Sequence, residues 1–311
     1  MNSDQANIYK KKKKTRKNMN KKLTEHIIRN YYKNNKNILD LYIPLVQNKI
    51  KTLKEANVIA GTLSKTSKMP CRSYGITAEA CQTGSAMKIL NKQKLNITCK
   101  HDIVVALIDG KLIPTCALCY CDDKGNYKYP SVKSALNKRL QSIDYPLWTE
   151  ALVYMINNEQ KKGYDYFRWH DSGDIQSLDH LEHIIVACIC TPLVSHWLPT
   201  LEAGTHIAQF VQKYGSIDKI RNLCVRASTP FINARPMPNK NNGVRASVVI
   251  ADDRTFKQEM ITFMNDNICP AKLGDGTCGD CRKCWDKDID IISYPLKLYG
   301  HMLGVKGLVI Q

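Results

Sequence analysis

Apolar and polar positions change period several times along this chain. Across residues 20–56 (NKKLTEHIIRNYYKNNKNILDLYIPLVQNKIKTLKEA) apolar residues recur at three- and four-residue spacing, which predicts helical segments. Residues 61–100 keep no period and read as loop, with Cys71, Cys81 and Cys99 scattered through them. DIVVALIDG (102–110) reads as a strand closed by an Asp-Gly turn. The cysteine-rich turn PTCALCYCDDKGNY then leads into a long helical stretch, about 131–161. Beyond it the pattern becomes regular. YDYFRWHDSG reads as strand and SLDHLEHIIVACIC as helix. LVSHWLPT is the next strand and EAGTHIAQFVQKYG the next helix, and IRNLCVRAS and VRASVVIAD are further strands.

Strands that are apolar throughout, alternating with helices, predict an α/β fold around a parallel sheet buried on both faces. The expected architecture is a complete or partial (β/α) barrel, with an open doubly wound sheet as the alternative. The latter lacks a Gly-rich dinucleotide fingerprint in this sequence. The expected organisation is a basic disordered tail (1–22), a helical and loop region (23–100), a barrel-like core (101–265) and a zinc-binding C-terminal element (266–311). Polar residues cluster where the strands should end. His170, Asp171 and Asp174 follow one strand, Thr200 and Glu202 the next, Arg226 and Ser228 the next, and Asp252 and Asp253 the last. In a barrel those ends share the face that carries active sites.

Charge sharpens the picture. Of the net +18 on 311 residues, residues 1–22 supply +8 and the rest of the chain +10. Basicity beyond the tail favours a polyanionic partner, DNA or RNA. No apolar run approaches a membrane span and no apolar leader precedes the thirteen cysteines, so the expectation is a cytoplasmic chain with reduced thiols. Clustered cysteines then suggest metal binding or catalysis.

The sharpest cluster is CPAKLGDGTCGDCRKCW. Cys278, Cys281 and Cys284 form a C-x2-C-x2-C run, with Cys269 upstream and His301 downstream. A structural Zn2+ takes four such ligands, completed here by either Cys269 or His301. A second cluster, Cys116, Cys119 and Cys121 in CALCYC, sits in a turn between strand and helix. Three cysteines after the first strand of a barrel evoke the iron–sulfur chelating loop of radical S-adenosylmethionine enzymes, although the spacing here is C-x2-C-x-C. A second zinc site drawing on Cys71, Cys81 or Cys99, or unliganded buried thiols, are the other readings.

FRWHDSGDIQS (167–177) places Asp171 and Asp174 three residues apart across a glycine turn. Neighbouring carboxylates suit acid–base or nucleophile work, because one charge disfavours the other. Asp174 and Ser177 are equally suited to cap the helix that begins near Leu178. His170 reads as a packed histidine.

DSGDIQS resembles the D-S-G-G-F-Q signature of tRNA-guanine transglycosylases, and CGDCRKC with YPLKLYGH resembles that family's C-terminal zinc site, matching Cys278, Cys281, Cys284 and His301. SHWLPTLE echoes its P-T-R strand. The chain also resembles a phage gene-product family with a strand like RWHDSGD, a WLPT strand and a CGxCxxCW end. Phages carry transglycosylase relatives that insert 7-deazaguanines into DNA. The resemblance implies a base-exchange enzyme taking DNA and a free 7-deazaguanine base. Asp171 would work at the base, and Ser172, Gly173 and Gln176 would line its pocket. Asp174 stands where the family has its second glycine, and the nucleophile's place holds no aspartate, so Asp174, Glu202 or Asp252 would attack the sugar. The readings from the residues alone remain a radical S-adenosylmethionine-like iron–sulfur enzyme and a non-enzymatic zinc-stapled nucleic-acid-binding protein.

Overall fold

The computed structural model describes residues 46–122, 125–251, 267–273 and 275–296. The basic tail, His301, Asp252 and Asp253 lie outside the described residues. The chain forms a mixed α/β fold around one seven-stranded sheet: β1 (Ser64–Lys65), β2 (Arg72–Tyr74), β3 (Tyr166–Trp169), β4 (Ser195–Thr200), β5 (Leu223–Ser228), β6 (Val244–Ile250) and β7 (Ile291–Pro295). Spatial order follows chain order. β1 runs antiparallel to β2, and every later pair is parallel. The sheet thus draws strands from residues 64–74 and 291–295 as well as from the strand–helix alternation between them.

Helices fill the crossovers. α1 (Leu53–Ala60) precedes the sheet. α2 (Gln82–Lys94), α3 (Lys100–Ile108), α4 (Pro130–Ser142) and α5 (Trp148–Gln160) lie between β2 and β3. α6 (Leu178–Ile189) joins β3 to β4, α7 (His206–Tyr214) joins β4 to β5, and the short α8 (Pro270–Leu273) lies before β7. Among the described residues no helix is long and apolar enough to cross a membrane.

Two sequence expectations are corrected here. Residues 102–110 are no strand: α3 covers most of them. Its start is fixed by Asp102, whose carboxylate accepts from the backbone N–H groups of Thr98 and Cys99 at 2.7 and 2.9 Å. That satisfies donors a helix N-terminus leaves open. Ile103 and Ala106, three apart, then face a small core while Ile108 stays exposed. The single helix expected over about 131–161 is two, α4 and α5, separated at Asp144–Leu147, where Pro146 cannot donate a helical hydrogen bond.

Strand alternation sorts the side chains onto two faces. Phe167, Trp169, Leu198 and Val225 point into the main core, packed by α1, α5, α6 and α7. Tyr74 anchors this core. Its hydroxyl donates to the Ala60 carbonyl at 2.6 Å and accepts from Trp148 Nε1 at 3.0 Å. The alternate residues face the other way. There Trp197 packs with Cys71 and Trp285, flanked by Tyr166, Cys284 and Tyr294. The C-terminal cysteine segment therefore lies against the face that the main helices leave open.

Candidate active site at the strand ends

Parallel strands bring their C-terminal ends to one edge, and the loop after β3 is its centre. The His170 N–H donates to the Tyr74 carbonyl at 2.8 Å, carrying the β2–β3 ladder one residue past the strand. His170 itself has φ +50, a left-handed conformation that side chains rarely adopt. It is 3% exposed, and neither ring nitrogen has a hydrogen-bond partner. Burial, and then the nearby Arg168 charge, push its imidazole down to about 3, so the ring is neutral. It packs against His180 at 5.5 Å between ring centroids.

Asp171 comes next, 5% exposed. Its carbonyl accepts from the hydroxyls of Tyr120 (2.5 Å) and Tyr127 (3.0 Å), while its carboxylate oxygen Oδ1 is buried with no partner. The carboxylate lies directly over the backbone of Gly75. A Cβ at that position would overlap Asp171 Oδ1 and the Ser172 backbone, so the loops after β2 and β3 can meet only at a glycine. Gly173 (φ +78) is pressed the same way against Ile76, whose N–H donates to the Ser172 carbonyl at 3.0 Å. The Ser172 hydroxyl is buried without a partner.

Asp174 is engaged on both oxygens. It accepts from the Thr200 hydroxyl at 2.6 Å, the Leu201 N–H at 2.8 Å and the Ile175 N–H at 2.8 Å. It therefore ties the end of β3 to the end of β4. Burial pushes its carboxyl up to about 6 against the pull of these donors. The cap of α6 is Ser177, which accepts from the His180 N–H at 3.0 Å. Gln176 is likewise committed, its amide donating to the carbonyls of Ala80 (3.1 Å) and Asp174 (2.8 Å). Glu202 reaches back across the edge to cap α2, accepting from the Thr83 N–H at 3.0 Å and the Thr205 hydroxyl at 2.7 Å. Arg226 does not reach the edge. It points onto the face that carries the C-terminal segment.

The segment carrying Cys116, Cys119 and Cys121 spans this edge. On one side Pro114 pairs with Phe231 in the loop after β5, where the Thr115 N–H donates to the Pro230 carbonyl at 2.9 Å. On the other side Tyr120 holds Asp171. Cys81, from the turn before α2, joins the group: a Cβ on Gly84 would contact both the Cys81 Cβ (3.0 Å) and the Cys116 Sγ (3.5 Å). Burial raises the Cys81 and Cys116 thiols to about 12, and the charges of Cys116 and Cys119 add to the effect on Cys81. A hydrogen bond between Cys119 and Cys121 lowers the former and raises the latter. The sequence could not place Cys81 in this group, 35 residues before Cys116, because only the fold of the intervening helices brings them together.

The C-terminal cysteines form a second group. The Cys278 N–H donates to the Lys68 carbonyl and the Cys281 N–H to the Cys278 carbonyl, both at 2.9 Å. The Cys284 thiol lies 3.2 Å from the Tyr294 hydroxyl. Arg168 sits between the two groups. It stacks on Trp197 at 4.6 Å, and its guanidinium reaches the Tyr120 hydroxyl at 3.3 Å and Met69 Sδ at 3.4 Å. Among the described residues, no three or more His, Cys, Asp or Glu side chains are arranged to hold a metal ion as they stand. Neither the cysteines expected to hold zinc (Cys269, Cys278, Cys281 and Cys284) nor Cys116, Cys119 and Cys121 are arranged as a single-ion site among the described residues, and the fifth zinc candidate, His301, lies outside them.

Among known families, the model described as gene product 88 matches residues 10–287. No curated protein and no solved structure matches the chain.

Proposed function

This chain belongs to the gene product 88 family of phage proteins, and from that premise we propose that it is an iron–sulfur enzyme of the radical S-adenosylmethionine type. One observation carries the reading. Cys81, Cys116, Cys119 and Cys121 gather at the C-terminal edge of a parallel sheet, within the first parallel crossover and beside the unpartnered Asp171 carboxylate. We read the sheet as an open partial (β/α) barrel, which chain-ordered parallel strands support.

The donor set fits such a group. Thiols are soft ligands suited to iron; Cys116, Cys119 and Cys121 would hold the cluster and leave one iron open to S-adenosylmethionine, with Cys81 as a neighbour, and a polynuclear cluster spreads its ligands wider than a single ion does. When bound, the cluster supplies single electrons. The chain's own residues do the rest. Tyr120 and Tyr127 fix the Asp171 backbone, Gly75 lets its carboxylate lie against the neighbouring loop, and Oδ1 accepts a hydrogen bond or proton from substrate. The neutral His170 and the engaged Asp174 hold the loop rigid beneath it. The net charge outside residues 1–22 supports a nucleic-acid substrate.

Protein purified without oxygen tests the reading. Iron and sulfide with a visible absorption band, lost in Cys119→Ser, and S-adenosylmethionine cleavage to 5′-deoxyadenosine under reductant are the expected results. A colourless preparation with no iron overturns it.

The transglycosylase reading keeps one support, the free Asp171 carboxylate. Asp174 and Glu202 both spend their oxygens on backbone and hydroxyl donors, so Asp171 itself would be the nucleophile. Labelled guanine entering duplex DNA, abolished by Asp171→Asn, would favour it. A zinc-stapled nucleic-acid-binding protein without catalysis would bind DNA regardless of Asp171→Asn.

A further inference from the structure

Three neighbouring strands place one side chain each in a single row, on the face opposite the main core. The register pairs Ser73 of β2 with Arg168 of β3, and Arg168 with Trp197 of β4. Residues paired in this way point to the same side of a sheet. Each of the three carries a buried donor without an acceptor: the Ser73 hydroxyl, Arg168 Nε and Trp197 Nε1. Ser73 is 0% exposed and Trp197 7%. Buried polar groups are rarely left unmatched, and three donors in one row, none bonded to another, call for an acceptor from outside the chain.

Arg168 adds charge to the row. Among the described residues it makes no ion pair. Its guanidinium stacks on Trp197 at 4.6 Å, which fixes the plane of its fork. Its remaining protons meet only uncharged acceptors: Met69 Sδ at 3.4 Å, the Tyr120 hydroxyl at 3.3 Å and the His170 carbonyl at 3.5 Å. A guanidinium held in this way matches the geometry of a carboxylate or a phosphate. Burial raises the neighbouring Cys71 thiol to about 12, so it stays neutral and balances nothing. The Asp171 carboxylate attracts Arg168 through space but forms no ion pair with it.

We propose that Ser73, Arg168 and Trp197 form an oxyanion site that binds a phosphate or carboxylate group of the substrate. The inference rests on the enzyme reading above and deepens it, because one hydroxyl links the row to Asp171. Tyr120 accepts from Arg168 at 3.3 Å and donates to the Asp171 carbonyl at 2.5 Å. Arg168 takes the anionic end of the molecule, and Asp171 Oδ1 takes an N–H or O–H on the same molecule. The substrate class is an oxyanion that also carries a hydrogen-bond donor, as a nucleotide does. Binding at the row itself needs no cluster.

Calorimetric titration of the full-length protein with inorganic phosphate, and separately with acetate, tests the site. Saturable binding is expected, and the tighter probe tells phosphate from carboxylate. Arg168→Met should weaken it by roughly tenfold or more, and Ser73→Ala and Trp197→Phe by about threefold each. Without either anion, Ser73→Ala loses only an orphan hydroxyl and should unfold at the same temperature as wild type or higher. A merely structural Ser73 would give a lower temperature and unchanged binding, which overturns the proposal. Binding that survives every substitution marks an adventitious ion only and also overturns it, as does wild type that binds neither probe. If Arg168→Met does not fold, Ser73→Ala and Arg168→Lys decide, the latter expected to bind about threefold more weakly because a point charge replaces the fork. Iron and sulfide measured on the same preparation keep the two readings apart. Anion binding without iron sinks the cluster and leaves this site standing, and iron without anion binding does the reverse.

Discussion

Asp174 separates a structural from a chemical reading of the HDSGD loop. Replacing it with alanine removes the acceptor for three donors: the Thr200 hydroxyl and the N–H groups of Leu201 and Ile175. Asp174 is 6% exposed, so little water replaces what is lost. A buried donor left unsatisfied costs about 1–3 kcal/mol. The Thr200 hydroxyl can rotate toward another acceptor, so the two N–H groups set the floor, and the total comes to roughly 2–6 kcal/mol. That is a large part of the ~5–15 kcal/mol that stabilises an ordinary domain. Urea unfolding of the full chain measures it as a drop in midpoint at unchanged slope. Thr200→Val removes one arm of the same tie and should cost about 1–2 kcal/mol. The double variant should fall short of the sum by at least about 0.5 kcal/mol, because the two residues share one bond. A loss below about 1 kcal/mol for Asp174→Ala would refute the reasoning and return the carboxylate to the list of catalytic groups.

Other outcomes follow from the same geometry. Because burial raises the Asp174 carboxyl from 3.8 to about 6, the folded state holds its proton more tightly than the unfolded chain does. Its contribution is complete below about pH 4 and is lost as pH rises through 6, roughly 3 kcal/mol in all. The stability gap between wild type and Asp174→Asn should therefore narrow from pH 4 to pH 7 in paired urea titrations; a widening gap would show that the hydrogen bonds outweigh burial. Gly75→Ala drives a methyl into Asp171 and the Ser172 backbone and should cost about 1–3 kcal/mol by thermal unfolding; a neutral result would mean that the loops separate freely. Ser177→Ala removes the cap of α6 and should cost about 1 kcal/mol, with no change in metal content. Deleting residues 1–22, which carry +8, should weaken DNA binding and flatten its salt dependence; an unchanged salt slope would remove the tail from the interface.

The regular stretch from Tyr164 onward was legible because strand and helix differ in period there and because Ser177 marks a helix start. Residues 102–110 were not, since a six-residue apolar run fits a strand or a buried helix equally well. The deciding contact, Asp102 on the Thr98 and Cys99 N–H groups, lies at its edge. β2 escaped notice because Arg-Ser-Tyr is only three residues long and owes its place to pairing with β3, 95 residues further along the chain. The site shows the same division. That polar residues would meet at the strand ends could be read from their positions. What each one does there could not, because Asp174 is defined by Thr200 and Leu201, Glu202 by Thr83, and Arg226 by carbonyls 57–63 residues further on. Cys81 joined the cysteine group only through the fold between β2 and β3.

A cluster at the strand edge is tested most directly by iron and acid-labile sulfide per chain in anaerobically purified protein, wild type beside Cys116→Ser and Cys119→Ser. Wild type should carry iron and sulfide, with one cluster's worth lost in both variants. A wild type without iron, or a Cys119→Ser variant that keeps all of it, would rule the cluster out.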